Sequence, residues 1–200
     1  MSEPMRAAND RREAVPPAET PRVDPDRDAV RAAIRDAAAF GVLYRRYVGR
    51  VYSFAFYQLG DHHDAEDATE RTFLAALRAL GSFREGPGTF RAWLFRIARN
   101  TVLNVHRSRA RRRVEPIDVA SLEPLAPDED PAGIALRAEE ARRVRAALRL
   151  LPEERRQVVV LRFADGLSAR EIGVVLDRSE GAVRVLLHRA LKELASHLEG

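Results

Sequence analysis

Apolar residues recur every three or four positions along most of the chain, the spacing that places them on one face of an α-helix. The first such run extends from Ala29 to about Leu59 and is expected to end at Gly60. The second begins among acidic residues and closes with Arg78 before Gly81, an order of charges that suits the helix dipole. No segment alternates like a strand over a useful length. The apolar positions of the first run are Phe40, Tyr44, Tyr47, Val51, Phe54 and Ala55.

The third run, Phe90–Arg113, contains eight arginines and no acidic residue. Thr89 precedes it and is a suitable N-cap. One face is apolar, and a tryptophan at that spacing is more often a core residue than a stacking platform. Another face carries arginine and asparagine, which together offer phosphate and base-edge contacts. The predicted core face is Phe90, Trp93, Leu94, Ile97, Ala98, Thr101 and Val105, and the polar stripe is Arg96, Asn100, Asn104 and Arg107.

Two stretches lack periodicity. Residues 1–28 are proline-rich and mixed in charge, which is typical of a disordered tail. Residues 114–134 contain four prolines and six acidic residues, which predicts a linker. The chain is therefore expected to form two domains, 29–113 and 135–200.

The second domain also has a helical pattern. Helices are predicted for Ala135–Leu150, from Pro152 to the residues before Gly166, from a capping box at Ser168, and from Ser179 onward. The fold class is all-α, with two small helical domains joined by an acidic, proline-rich linker.

The last two helices have the form of a helix-turn-helix, with a connection of about three residues. The second helix opens with the small residues Ser179, Gly181 and Ala182, and it then places Arg184, His188 and Arg189 near one face. Such a helix fits the DNA major groove, where its donors meet purine acceptors. An ordinary helical hairpin is the alternative interpretation.

Charge is concentrated in one block of the chain. The net charge is +4, yet residues 38–113 carry 14 arginines and 6 acidic residues, whereas residues 152–200 carry 8 of each sign. Clustered arginine favours a polyanionic partner, although a GC-rich genome also enriches alanine and arginine. The absence of cysteine excludes disulfides. No apolar run approaches the ~20 residues of a membrane span, and no signal peptide is evident, so a soluble cytoplasmic protein is expected.

Four potential metal ligands, His62, His63, Asp64 and Asp67, lie close together in the sequence. Their spacing matches no specific metal site. Acidic residues in a first helical turn are explained by the helix dipole or by a basic protein partner. No metal and no cofactor are therefore expected.

Three motifs in order resemble one protein family. They are "DAEDATERTFLAALRAL", "FRAWLFRIARNTVLN" and, after the acidic linker, "LPEERRQVVVLRFADGLSAREIGVVLDRSEGAVRVLLHRALKEL". Residues 36–197 are similar to bacterial RNA polymerase sigma factors of the sigma-70 family, specifically the extracytoplasmic-function (ECF) group. The resemblance implies a transcription initiation factor and not an enzyme, with core RNA polymerase, promoter DNA and an anti-sigma factor as partners.

The resemblance also implies roles for individual residues. Region 2, residues 29–113, would bind polymerase and would recognise and melt the −10 element, with the loop 82–89 helping to capture a flipped-out base. Region 4, residues 135–200, would read the −35 element. The implied polymerase contacts are Asp64, Glu66, Asp67, Glu70 and Phe73. The implied −10 contacts are Phe83, Arg84, Arg96, Arg99, Asn100, Asn104 and Arg107. The implied −35 contacts are Ser179, Glu180, Gly181, Arg184, Val185, His188 and Arg189.

The chain departs from the family pattern at several positions. Glu70 and Arg71 stand where glutamine and then an acidic residue are common, and Val185, Leu186 and Leu191 replace polar or basic residues of the recognition helix. Two other functions remain open on the residues alone. One is an autonomous helix-turn-helix regulator that binds duplex DNA without polymerase, and the other is a metal-dependent hydrolase that uses the histidine–aspartate cluster.

Overall fold

The computed structural model describes residues 24–84, 88–112 and 131–199. Within these ranges the regular elements are all helical, which confirms the all-α prediction. Two short 3-10 turns, Ala37–Ala39 and Leu80–Ser82, accompany the α-helices. The helices are α1 Arg27–Arg35, α2 Phe40–Leu59, α3 His62–Ala79, α4 Phe90–Arg112, α5 Pro131–Leu150, α6 Glu153–Phe163, α7 Ala169–Leu176 and α8 Glu180–Glu199.

The predicted first helix is in fact two helices, so the expectation of one continuous helix from Ala29 is wrong. The chain breaks at Asp36, which is extended (φ −140°), and the Asp36 side chain accepts the Ala38 N–H at 2.9 Å. Aspartate competes with helix hydrogen bonds in this way because its short carboxylate reaches nearby backbone N–H groups. The tail predicted for residues 1–28 also extends too far, since Asp26 is fully buried and α1 begins at Arg27. Residues 1–23 lie outside the described ranges.

Helices α2, α3 and α4 pack together and form the core of the N-terminal part. Phe54 of α2 and Phe95 of α4 are fully buried and meet edge to face, with ring centroids 5.7 Å apart. Leu43, Leu94 and Val102 are also fully buried. Burying each such side chain contributes about 1.5–3 kcal/mol, so the position of α4 is determined by this core.

The buried face of α4 is wider than its apolar spacing predicts. Ala92, Phe95 and Val102 are buried, whereas Trp93 and Ile97 of the predicted core face are only half-buried. The reason is that α4 contacts α2 and α3 on one side and α7 on another. The predicted N-cap is confirmed, because the Thr89 hydroxyl accepts the Ala92 N–H at 3.2 Å.

The C-terminal helices α5–α8 contribute further buried side chains, among them Val158, Leu161 and Ile172, to the same core cluster as the N-terminal helices. Helix α5 begins at Pro131, inside the predicted linker, and residues 113–130 lie outside the described ranges. The predicted capping box is present, with Ser168 and Glu171 each accepting the other's backbone N–H.

The turn between α7 and α8 is tight. Asp177 adopts the left-handed conformation (φ 57°), and the Arg178 N–H donates to the Gly173 carbonyl at 2.9 Å. A Cβ at Gly173 would lie 2.6 Å from the Arg178 carbonyl oxygen, closer than atoms can approach. Glycine is therefore required at this position. The predicted N-cap of α8 is confirmed, since the Ser179 hydroxyl accepts the Ala182 N–H at 3.2 Å.

Candidate nucleic-acid interface

The predicted polar stripe of α4 is exposed to solvent. Arg96, Asn100, Asn104 and Arg107 all lie on the surface, and Arg107 donates to the Asn104 side-chain oxygen at 3.1 Å. The buried face of α4 fixes the direction of this stripe, because the core side chains leave the helix no freedom to rotate. The stripe combines two permanent charges with two amides that both donate and accept hydrogen bonds.

Two aromatic residues with implied binding roles are buried. Phe83 is 8% exposed and packs edge-on against Phe90 and Trp93, with centroids 5.9 and 5.3 Å apart. Phe73 is 5% exposed and packs against Tyr44, with centroids 4.8 Å apart. In this conformation both rings support the fold, and the small exposed part of Phe73 lines the groove between α2 and α3. Next to Phe83, the Arg84 side chain is exposed and donates to the Gly81 carbonyl at 3.0 Å.

Arg99, another residue with an implied −10 contact, is hydrogen-bonded to a distant helix. Its Nε donates to the side-chain oxygen of Gln157 in α6 at 2.9 Å. Gln157 is buried and donates in turn to Glu153 at 2.9 Å. Arg99 therefore joins α4 to the C-terminal helices through its Nε, and that bond uses only one of the five N–H donors of its guanidinium.

A second contact between the two parts of the chain lies at the start of α4. Glu171 of α7 accepts hydrogen bonds from Arg91 of α4 at 2.7 and 2.8 Å and from the Thr89 hydroxyl at 2.7 Å. Burial raises the pKa of Glu171, but hydrogen bonds from Arg91, Ser168 and Thr89 outweigh it and lower the pKa to about 2. The sequence identified Glu171 only as a capping residue, since no local pattern indicates a partner 80 residues away.

The exposed face of α8 carries the predicted recognition residues. Arg184, His188 and Arg189 are exposed, while Val183 and Ala190 are buried on the opposite side. Arg184 forms an ion pair with Glu180 one turn earlier. The small N-terminal residues leave this end of α8 open to close approach. Ser179, Gly181 and Val185, which complete the implied −35 set with Glu180, are also exposed.

The acidic residues of α3 occupy two environments. Asp64 pairs with Arg109 of α4, and Asp67 pairs with Arg71 one turn later in α3. Glu66 and Glu70 are exposed. These two glutamates border an apolar groove of about 670 Å³ between α2 and α3, whose other lining residues include Phe40, Tyr44, Val48, Tyr52, Leu74 and Leu77.

The histidine–aspartate cluster has no metal-site geometry. His62 stacks on Phe56, with centroids 4.5 Å apart, and its Nδ1 is in hydrogen-bond contact with the Tyr52 hydroxyl. Across the described residues, no three histidine, cysteine or acidic side chains are arranged to bind a metal ion. Among the described helices, none has the length and apolar character to cross a membrane.

Comparison with known proteins supplies the family. Residues 43–112 match the family described as "Sigma-70 region 2", and residues 141–194 match "Sigma-70, region 4". The chain is 37% identical over 165 residues to the ECF RNA polymerase sigma factor BldN of Streptomyces coelicolor, a match that covers 82% of this chain and 62% of BldN. It is also 37% identical over 181 residues to the ECF RNA polymerase sigma factor SigE of Mycolicibacterium smegmatis, covering 89% of this chain and 70% of SigE.

Two solved structures have folds similar to that of this chain. One is CnrH in complex with the cytosolic domain of CnrY, with a TM-score of 0.66, 30% identity, and coverage of 87% of this chain and 97% of CnrH. The other is the sigma factor RpoE in complex with the anti-sigma factor NepR from Bartonella quintana, with a TM-score of 0.66, 22% identity, and coverage of 80% and 96%. The match to this chain spans less than two thirds of the length of BldN. The chain belongs to the ECF RNA polymerase sigma factors of the sigma-70 family.

Proposed function

We propose that the chain binds core RNA polymerase and directs it to promoters by reading the −10 element with α4 and the −35 element with α8. The observation that carries this proposal is the presence of two separate exposed surfaces, the arginine–asparagine stripe of α4 and the arginine–histidine face of α8. Each surface lies opposite a buried face, so each is presented in a fixed direction.

The α4 stripe has the chemistry needed for a melted strand. Arg96 and Arg107 supply charge for the backbone phosphates, and Asn100 and Asn104 can pair with base edges once the bases are unstacked. Extruding a base costs a few kcal/mol. A stripe of permanent positive charge on a rigid helix offsets part of that cost without reorganising.

The α8 face suits duplex DNA. A helix that begins with Ser179 and Gly181 can approach the groove closely, and Arg184 or Arg189 can donate two hydrogen bonds to guanine O6 and N7. The segment 152–200 has no net charge, and Arg184 is already paired with Glu180. Weak electrostatic attraction means weak binding by the free chain. The proposed function therefore includes a requirement for polymerase, which separates it from an autonomous regulator.

The groove between α2 and α3 is the proposed polymerase contact. Its apolar lining and the exposed carboxylates of Glu66 and Glu70 suit an amphipathic, basic helical surface. Charge reversal at Asp67 is expected to weaken association with core polymerase and to leave the fold intact, since Asp67 is paired only within α3. Unchanged polymerase affinity, combined with stoichiometric metal binding at His62 and His63, would favour the metal-site alternative.

An anti-sigma factor is a further proposed partner. CnrH and RpoE, which share this fold, are both described in complexes, with the cytosolic domain of CnrY and the anti-sigma factor NepR respectively. Because bacterial promoters and core polymerase are in the cytoplasm, we propose that the chain acts there. We also propose that its role is binding, and we assign no catalytic reaction to it.

Reconstitution with core RNA polymerase tests the proposal. Run-off transcription from the promoter upstream of the chain's own gene should require both polymerase and this protein. The free chain should show no specific binding to the same promoter fragment at nanomolar concentration. Tight, sequence-specific binding by the free chain without any transcription in the reconstituted system would support the autonomous regulator instead.

A further inference from the structure

We propose that Asp24 is a positioning residue for reading the −10 element, because its carboxylate fixes the backbone at the start of α4. This inference rests on the proposed function of α4. Asp24 lies before the segment 43–112 that matches the region 2 family, and it lies in a stretch whose composition predicts a disordered tail. The structure nevertheless connects it directly to the candidate −10 surface.

The Asp24 carboxylate joins two backbone segments. One oxygen accepts the N–H of Phe90, the first residue of α4, and the other accepts the N–H of Asp26 at 3.0 Å. The Asp24 carbonyl also accepts the Arg27 N–H at 3.1 Å, which closes a turn just before α1. A carboxylate at a helix N-terminus satisfies an otherwise unpaired N–H and interacts favourably with the helix dipole.

Asp26 attaches this turn to α2. It is fully buried, and its two oxygens accept hydrogen bonds from Arg46 and from the Tyr47 hydroxyl. A buried carboxylate is tolerated only when such donors compensate for its lost hydration. Burial, and then the contact with Asp26, raise the pKa of Tyr47, so this phenol remains a donor. The turn is therefore fixed to α2 at one end and to α4 at the other.

Phe90 transmits this constraint to the candidate site. Its ring is fully buried and contacts the rings of Tyr47, Phe83 and Trp93, with centroids 6.0, 5.9 and 5.5 Å apart. Phe83 ends the segment after α3, and exposed Arg84 follows it. The backbone position of Phe90 therefore sets both the packing of Phe83 and the first turn of α4. Asp24 acts on DNA through these groups and touches none itself.

Substitution of Asp24 in the full chain, assembled with core polymerase, tests the inference. Asp24→Ala is expected to reduce base discrimination in a promoter library randomised at the −10 element by about threefold to tenfold, because the first N–H of α4 and the positive end of its dipole lose their carboxylate partner. Discrimination in a −35 library and affinity for core polymerase should not change. The matched control is Asp28→Ala, which removes an exposed carboxylate of α1 nearby. A substitution that lowers discrimination equally in both libraries, or in neither, overturns the proposal.

Two further measurements keep the test decisive. Asp24→Asn preserves size and retains an oxygen that can accept one N–H, so it should recover part of the −10 discrimination if Asp24→Ala folds poorly. Hydrogen exchange of the Phe90 amide in the free protein should accelerate at least tenfold in Asp24→Ala and not in Asp28→Ala. If the amide responds but wild-type protein supports no transcription, the proposed function fails and the capping contact stands. If the amide does not respond, the positioning role fails irrespective of transcription.

Discussion

Glu171 and Arg91 form a bidentate ion pair that joins α7 to α4, in which the Arg91 Nε donates to Oε1 at 3.2 Å and a terminal nitrogen donates to Oε2 at 2.7 Å. The Glu171 and Arg91 side chains are only 11% and 25% exposed, so water screens the pair less than it screens surface pairs. The same carboxylate caps α7 through the backbone N–H of Ser168. One residue therefore contributes both to the helix-turn-helix and to its contact with the N-terminal helices.

A double-mutant cycle measures this contact. The variants Arg91→Ala, Glu171→Ala and the double variant should show a coupling free energy of about 1–3 kcal/mol in urea unfolding, as expected for charge-assisted hydrogen bonds. The exposed pair Glu139 and Arg142 is the matched control, with expected coupling below about 1 kcal/mol. Equal coupling in both cycles would show that the pair joining α4 and α7 contributes no more than a surface pair.

The low pKa of Glu171 predicts acid sensitivity. A carboxylate whose pKa is about 2 in the folded protein and near 4.5 when unfolded stabilises the fold fully above the unfolded value. That stabilisation should decline as the pH falls from about 4.5 towards 2. Urea unfolding midpoints measured across this range should fall less steeply for Glu171→Gln than for the wild type. Identical slopes would show that Glu171 has the same pKa in both states.

The burial of Asp165 predicts that the stability of the fold has the opposite pH dependence at higher pH. Asp165 lies just after α6 and is 2% exposed, and neither carboxylate oxygen has a hydrogen-bond partner among the residues that the structure describes. Burial raises its pKa to about 8, although Arg50 and Arg91 lower it in part. The folded protein therefore retains a proton that the unfolded chain has lost above about pH 4. Stability should decrease as the pH rises from about 4 to 8.

Asp165→Asn removes this dependence, because the amide has the same size and no charge to bury. The variant should be more stable than the wild type at pH 8, by on the order of 2 kcal/mol. Asp177→Asn is the control, since Asp177 is exposed and asparagine tolerates its left-handed conformation. A wild-type stability that is flat between pH 5 and 8 would rule out a buried, neutral Asp165.

The helices were largely predictable because their apolar spacing reflects a buried face. The break at Asp36 was not, since Ala37, Ala38 and Ala39 are strong helix formers and the sequence contains no glycine or proline there. Asp36 is extended at the end of α1, and its side chain caps the following 3-10 turn by accepting the Ala38 N–H. Local hydrogen bonding of this kind overrides propensity, and a spacing pattern does not detect it.

The exposed surfaces were also predictable, whereas the contacts between distant segments were not. The stripe containing Asn100 and the α8 face containing Arg184 follow from helical geometry alone. The partners of Arg91 and Arg99 depend on how the N-terminal and C-terminal helices pack. The proline-rich, mixed-charge composition of residues 1–28 predicts a tail that includes Asp26, yet Asp26 is buried because Arg46, 20 residues away in α2, donates to its carboxylate.

One pair of promoter libraries can distinguish the proposed roles of the two DNA-reading helices. Arg184 lies on the exposed side of α8, where losing a bidentate base contact should cost ~1–3 kcal/mol and relax preference at one position of the −35 element. Asn100 and Asn104 lie on the exposed stripe of α4, so Asn100→Ala with Asn104→Ala should spare −35 preference and reduce open-complex formation. Each variant is transcribed from one library randomised at −10 and another randomised at −35, and melting is followed by permanganate reactivity. An Arg184→Ala effect confined to the −10 library, or normal melting by the double asparagine variant, would show that the helices have been assigned to the wrong elements.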